Sequence, residues 1–406
     1  MAAMSSCSYD VPEAMVVEIF SWLPPKSLNR FKCVCKSWNS LVTSLTSNPA
    51  FVAKHLRNAH NNVLSPKSLL ILREYWIPTP VFVPSDSHDD MYDLNLLLLN
   101  LSNDDGEKEE IHSSDEELRV DNPLGGGYLS GIECFQMMET AIFGAMFYHC
   151  DGIICFAAPR KTMLWNPALH KSKLLPLPTH AYHFQVNRAV ARTGFGYDPV
   201  DSDYKVLRMW FDDIELIEIY SLNTDTYREI KVGFDKRRDC NKVEHKMQVC
   251  HQGICYWFLS EGENVTNMIL SFDLHAEKFH FILLPGPMKP CKTLEVWNDS
   301  VAYISSSGCR GGTEPIEMWV MECCSRGVSD SSSWIKYLSI VPQAGVLRPL
   351  TFWESDELLL GGTNDEFFVS YNLRTQKFRK LVIHRANRML YLGSYVESLV
   401  SVNRRG

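Results

Sequence analysis

Two short segments carry the residue types best able to do chemistry. His149-Cys150-Asp151-Gly152-Ile153-Ile154-Cys155 and Val249-Cys250-His251-Gln252-Gly253-Ile254-Cys255 repeat one pattern a hundred residues apart. Thiolates from Cys150, Cys155, Cys250 and Cys255 could hold a soft metal ion. The four-residue gaps are not the two-residue knuckle of structural zinc sites. Buried thiols on inner strands account for them, each reached through a polar turn with glycine, so no metal is expected. Gly194-Phe195-Gly196-Tyr197-Asp198-Pro199 could cradle a phosphate. It lacks a following helix signal and a Lys-Ser/Thr pair, and reads as a turn between strands. Asp104, Asp105, Glu107, Glu109, Glu110, Asp115, Glu116 and Glu117 form a dense acidic run. Such a run reads as a solvated, mobile loop at about 103–117, with steering of an electropositive partner as the second reading. There is no nucleophile elbow, no spaced histidine cluster and no carboxylate pair in a cleft motif. These absences count against an enzyme without excluding one, since an active site can assemble from distant loops; no cofactor is expected.

Bulk properties narrow the class further. The chain has 406 residues, 45% hydrophobic and 22% charged, with a net charge of −8. That is room for one small and one large domain of ordinary soluble composition. The acidic balance argues against a nucleic-acid binder, which needs basic surface to replace counterions. The first nine residues show neither a basic n-region nor an apolar h-region, so no signal peptide is expected. The run at 94–101 is too short to span a bilayer. The thirteen cysteines lack a framework and read as reduced thiols in a cytoplasmic protein, the nucleus remaining open as a second compartment.

The elements that must position these residues show a repeat. Tyr220-Ser221-Leu222-Asn223-Thr224-Asp225-Thr226-Tyr227, Phe272-Asp273-Leu274-His275-Ala276-Glu277-Lys278-Phe279 and Tyr371-Asn372-Leu373-Arg374-Thr375-Gln376-Lys377-Phe378 align without gaps. Trp165-Asn166-Pro167-Ala168-Leu169-His170-Lys171-Ser172 follows them loosely, and a fifth hairpin starts at Trp319 and returns at Trp334. Each is a strand ending in an aromatic, a polar turn and a restarting strand, which is hairpin chemistry. Intervals of 55, 52, 47 and 52 between the leading aromatics are the period of kelch-like propeller blades. Residues 68–73 and 92–101 would supply a first blade.

The amino end has another period. Val16, Ile19, Phe20 and Leu23 mark one helical stripe and Met15, Ile19 and Trp22 an adjacent one. Two apolar faces on one helix need two partners. Pro24-Pro25 ends that helix. Leu28 and Phe31 face inward from a second, and Val34, Trp38, Leu41 and Leu45 mark a third. Residues 49–56 read as one more short helix.

The order Pro12, Ile19, Leu23-Pro24, Lys26-Ser27-Leu28, Phe31-Lys32-Cys33-Val34-Cys35-Lys36-Ser37-Trp38 resembles a plant F-box. Val11, Phe20 and Trp22 depart from the usual pattern and stay apolar and helix-compatible. Cys150-Asp151-Gly152, Trp165-Asn166-Pro167-Ala168, Tyr204-Lys205-Val206, Ile316-Glu317-Met318-Trp319-Val320-Met321 and Ser333-Trp334 resemble the F-box-associated domain. Cys255-Tyr256-Trp257-Phe258, Pro349-Leu350-Thr351-Phe352-Trp353 and Tyr395-Val396-Glu397-Ser398 are closer still to S-locus F-box proteins of the rose family. The resemblance implies an α+β multidomain fold: a small three-helix F-box at 8–56, then an all-β kelch-like propeller of about six blades at 63–402. It implies a non-catalytic substrate receptor of a Skp–cullin–F-box ubiquitin ligase, reaching cullin and RING subunits through a Skp-type adaptor. Pro12, Val16, Ile19, Leu23, Pro24, Leu28, Val34, Cys35, Lys36 and Trp38 would build or support the adaptor contact. Propeller loops, with Asp104, Asp105, Glu107, Glu109 and Glu110 among the candidates, would capture a stylar S-ribonuclease in pollen for self-incompatibility. The alternatives are a receptor for an unrelated plant protein, a scaffold that directs no degradation, and a propeller enzyme, whose site would assemble from distant loops.

Overall fold

The structure is a computed structural model. It describes residues 11–61, 67–76, 92–102, 110–118, 120–121, 128–129, 146–158, 161–178, 192–210, 216–231, 243–260, 267–307, 314–322, 333–342, 348–362, 368–382 and 389–403. Four helices come first: α1 (Glu13–Phe20), α2 (Pro25–Phe31), α3 (Lys36–Ser47) and α4 (Pro49–Asn61). The last runs five residues beyond the expected stop at Leu56. Pro24 and Pro25 end α1 and start α2, since a proline at the first helical position loses no bond it would have made.

Strands follow. β1 (Lys67–Trp76), β2 (Tyr92–Ser102) and β3 (Glu110–Glu117) precede a short ladder of β4 (Val120–Asp121) and β5 (Tyr128–Leu129). Blade 2 is β6 (Met146–Cys150), β7 (Ile153–Ala157), β8 (Thr162–Asn166) and β9 (Lys171–Leu174). Blade 3 is β10 (Arg192–Asp198), β11 (Asp203–Trp210), β12 (Leu216–Ser221) and β13 (Thr226–Ile230). Blade 4 is β14 (Val243–His251), β15 (Ile254–Ser260), β16 (Asn267–Asp273) and β17 (Lys278–Leu283). Blade 5 is β18 (Cys291–Trp297), β19 (Ser300–Ser306), β20 (Ile316–Met321) and β21 (Trp334–Ile340). Blade 6 is β22 (Arg348–Glu354), β23 (Glu357–Gly361), β24 (Phe368–Asn372) and β25 (Phe378–Val382), and β26 (Met389–Tyr395) ends the series.

β26 closes the ring. It pairs antiparallel with β1, Tyr395 opposite Ser68 and Leu392 opposite Ile71. Blade 1 therefore reads β26-β1-β2-β3 and makes six blades. β3 also pairs in parallel with β25, Glu110 opposite Lys380 and His112 opposite Val382, which stitches blade 1 to blade 6 at their outer edges. This corrects the loop expected at 103–117. From Glu110 onward the acidic run is a strand, because β2 and β25 each offer an open row of backbone groups and β3 satisfies both. Asp104, Asp105, Glu107 and Glu109 lie outside the described residues. Ser102 and Glu110, which bracket them, sit at the same blade end as the helices.

The hairpins share one local chemistry. The aromatics facing each other across the third and fourth strands are Tyr220–Tyr227, Phe272–Phe279 and Tyr371–Phe378, with centroids 5.1, 4.6 and 4.7 Å apart. Five residues after the first aromatic, Asp225, Glu277 and Gln376 hold φ of 59°, 56° and 57°, as His170 does at 52°. A neighbouring side chain makes this costly conformation tenable. Asp273 Oδ1 accepts from the backbone N–H of His275 and Ala276, both at 2.8 Å, and Asn372 does the same for Arg374 and Thr375. At the first-to-second-strand turns, Asp151-Gly152 (50°, 77°) and Gln252-Gly253 (50°, 82°) give two successive left-handed residues, the type I′ hairpin.

Gly194 and Gly196 lie inside strand β10, not in a turn. Added side chains there would meet Trp257 at 2.8 Å and the Cys250 sulfur at 2.0 Å. The glycines serve close approach between blades 3 and 4. Cys250 and Cys255 are cross-strand partners, and their mutual hydrogen bond together with burial pushes the Cys250 thiol up. Cys291 is disulfide-bonded, against the expectation of reduced thiols throughout.

Candidate adaptor-docking surface

The helical module builds its core from few residues. Phe20, Leu28, Val42 and Phe51 are buried together, flanked by half-buried Val16, Val17, Leu23, Phe31, Trp38, Leu41 and Leu45. Phe20, Phe31 and Trp38 form an aromatic triangle. Phe20 stacks on Phe31 at 5.4 Å, and Trp38 meets both edge-on at 5.5 and 5.1 Å. The second helical stripe stays outside this core. Met15 is 59% exposed, Ile19 54% and Trp22 47%, and the same module also exposes Val11 at 56% and Val34 at 61%. Singly exposed apolar residues are ordinary; five on one small module mark an interaction surface.

Polar contacts fix the row's backing. Glu18 accepts from the Trp22 indole at 3.2 Å and from the Lys54 ammonium, bonds that hold its carboxyl below its ordinary range. His55 Nε2 bonds the Leu23 carbonyl at 2.8 Å, and Asn58 donates to the Ser21 carbonyl at 3.2 Å and its hydroxyl at 2.9 Å. Burial pushes the His55 pKa down, against the opposing pull of the Leu23 carbonyl. At the start of α3, the exposed Cys35 thiol lies 3.1 Å from the Ser37 hydroxyl, a bond that lowers its pKa.

The ten expected contact residues sort into three groups. Pro12, Ile19, Pro24, Val34, Cys35 and Lys36 are exposed; Val16, Leu23 and Trp38 are half-buried; Leu28 is fully buried. The last four support the module's shape. Met15 and Trp22, read in the sequence only as a second flank, are as open to a partner as Ile19.

The module sits on the blade end that carries the type I′ turns. Leu169, in the turn after β8, and Leu399, beyond β26, pack against its core, and His60 lies 3.5 Å from Asp151. A cavity of about 840 Å³ opens beside this junction, among His60, His149, Asp151, Trp297, Trp353 and Tyr395. Elsewhere, among the described residues, Asp198, Asp201 and His275 bring three metal-type ligand atoms together. The Lys205 ammonium already fills that place, donating to Asp198 and Asp201 at 2.6 Å each.

Helices with an uncovered apolar row over a six-bladed ring are the architecture that sequence comparison then names. An F-box domain model matches residues 9–49, and the F-box associated beta propeller domain model matches residues 134–402. The chain belongs to the F-box-associated β-propeller family. An F-box/kelch-repeat protein of Arabidopsis thaliana is 25% identical over 97% of this chain and 96% of its own length. A second putative F-box/kelch-repeat protein of that plant is 25% identical over 93% and 87%. A putative F-box protein is 27% identical over 69% and 66%. F-box proteins generally act as substrate adaptors, and these relatives are named as such proteins, not as enzymes. Among the described residues, no helix of this F-box protein is long and apolar enough to cross a membrane.

Proposed function

We propose that this protein is the substrate-receptor subunit of a Skp–cullin–F-box ubiquitin ligase. The observation that carries the reading is the set of apolar residues Val11, Met15, Ile19, Trp22 and Val34, exposed on a module whose core, walled by Leu399, does not use them. A Skp-type adaptor covers them and brings the cullin and RING subunits. The propeller presents a protein substrate from the opposite blade end, where the second and fourth strands of blades 2 to 6 finish. The receptor transfers no group itself.

The test is co-purification with a Skp-type adaptor. The Leu23→Ala, Pro24→Ala double variant and Ile19→Asp should each lose it. Unchanged capture by both would remove the reading.

For the substrate, we infer a stylar S-ribonuclease. Support comes from the S-locus F-box resemblance and from the net charge of −8, which suits a basic partner. Purified stylar ribonuclease should bind more weakly as ionic strength rises from low to moderate. Binding that ignores salt would remove the electrostatic part, and no binding would leave a receptor for another plant protein.

A further inference from the structure

The segment after β26 belongs to neither half of the molecule alone. Val396 and Ser398 lie against Gly152, where an added Cβ would stand 2.5 Å from the Val396 carbonyl oxygen and 2.7 Å from the Ser398 hydroxyl. The Asn166 side-chain amide donates to the carbonyls of Ser398 (3.1 Å) and Val400 (2.8 Å) and to the Ser398 hydroxyl (3.3 Å). Its other end accepts from the Ala168 N–H at 2.9 Å. One buried asparagine thereby ties the segment to the turn that α2 rests on. Leu399 then enters the helical core beside Phe20, Leu28, Val42 and Phe51. Three residues later Val402 is fully buried in the propeller, among Ile153, Cys155, Phe195 and Val206 between blades 2 and 3.

We propose that residues 396–402 are a positioning strap that locks the F-box to the propeller at one fixed angle. A single covalent connection would by itself leave two domains free to reorient, as small interdomain contacts usually do. A strap with side chains buried in both domains removes that freedom. The role rests on the receptor reading in one respect only: a fixed angle holds bound substrate at one distance from the ligase that the adaptor recruits. Asn166 and Gly152 act through the strap, and Leu399 is the strap's own anchor in the helical core.

The test uses the full chain with two dyes, attached through non-canonical amino acids at exposed Arg57 on α4 and exposed Lys278 on β17. Single-molecule energy transfer should give one narrow distance distribution. Asn166→Ala and Leu399→Ser should broaden it; a residue with a purely local packing role would leave the width unchanged. Asn166→Ala lies outside the helical core, so it reports even where Leu399→Ser loosens the module. Broadening in either variant supports the strap, and unchanged widths in both overturn it. Adaptor capture, measured in the same samples, should stay within about twofold of the wild type for Asn166→Ala. Failure of the unsubstituted chain to capture adaptor would sink the receptor reading, while the distances would still decide on the strap.

Discussion

The helical module and the propeller treat apolar surface in opposite ways. Each blade lays its sheet faces against its neighbours. Residues such as Trp165, Trp257 and Tyr220 are almost fully buried between blades, and each blade lends its neighbour what that neighbour lacks. The module has four helices and no such ring. It borrows Leu399 from beyond β26 to wall its core, and it leaves Ile19, Met15 and Trp22 uncovered. The difference teaches where a partner fits. A closed ring covers most of its sheet faces with its own blades, outer-strand residues such as Ile335 and Tyr337 excepted, while a short bundle on its rim keeps one face open by construction.

Four measurements test that contrast. The largest effect is expected from Phe20→Ala, which removes the centre of the aromatic triangle. Truncating a buried phenylalanine costs about 3–5 kcal/mol. Helical signal should melt well before the β signal in circular dichroism, and one unchanged joint transition would contradict a separately fragile module.

Next comes Ile19→Ala. Its side chain is already in water, so thermal stability should hold. Adaptor affinity, by titration calorimetry, should fall by about 2 kcal/mol, roughly thirtyfold. A matching loss of stability would show the row to be core after all.

Inside the ring, Glu295 links the inner strands of blades 5 and 6 through Thr351 at 3.0 Å. Burial pushes its pKa up to about 8 from 4.5. The native state then holds a proton that the unfolded chain releases, so stability falls with rising pH between about 4.5 and 8, by at most about 1.4 kcal/mol per unit. His149 has the opposite sign. Burial pushes it down to about 4, so its contribution is lost as pH falls from 6.5 toward 4. The two nearly cancel below pH 6.5 and leave a decline from 6.5 to 8. Glu295→Gln should abolish that decline in denaturant titrations; a decline that persists would assign it to other groups.

The smallest effect is expected at a single turn. Asp273→Ala removes two backbone contacts in blade 4 and should cost about 1 kcal/mol, with no change in adaptor capture.

Legibility followed locality. The third-to-fourth-strand hairpins could be read because everything they need lies within eight residues: two aromatics, an Asp or Asn, and a tolerant left-handed position. The exposed stripe on α1 could be read from spacing alone. β3 could not. Asp115, Glu116 and Glu117 are poor strand formers, and part of the ladder that recruits their strand comes from β25, far along the chain. Gly194 and Gly196 looked like a turn because their neighbours Trp257 and Cys250 are invisible to a local window. The strap has no period at all. Its residues make sense only against Asn166 and Phe20, from two other parts of the chain.

The strand that completes the first blade is synthesised long after the rest of that blade. Until β26 leaves the ribosome, β1 has no inner neighbour, and until Leu399 follows, the amino-terminal bundle lacks one wall. A polypeptide cut short before those residues would thus be defective at its beginning, so premature termination would be felt at the very surface proposed above to dock the adaptor.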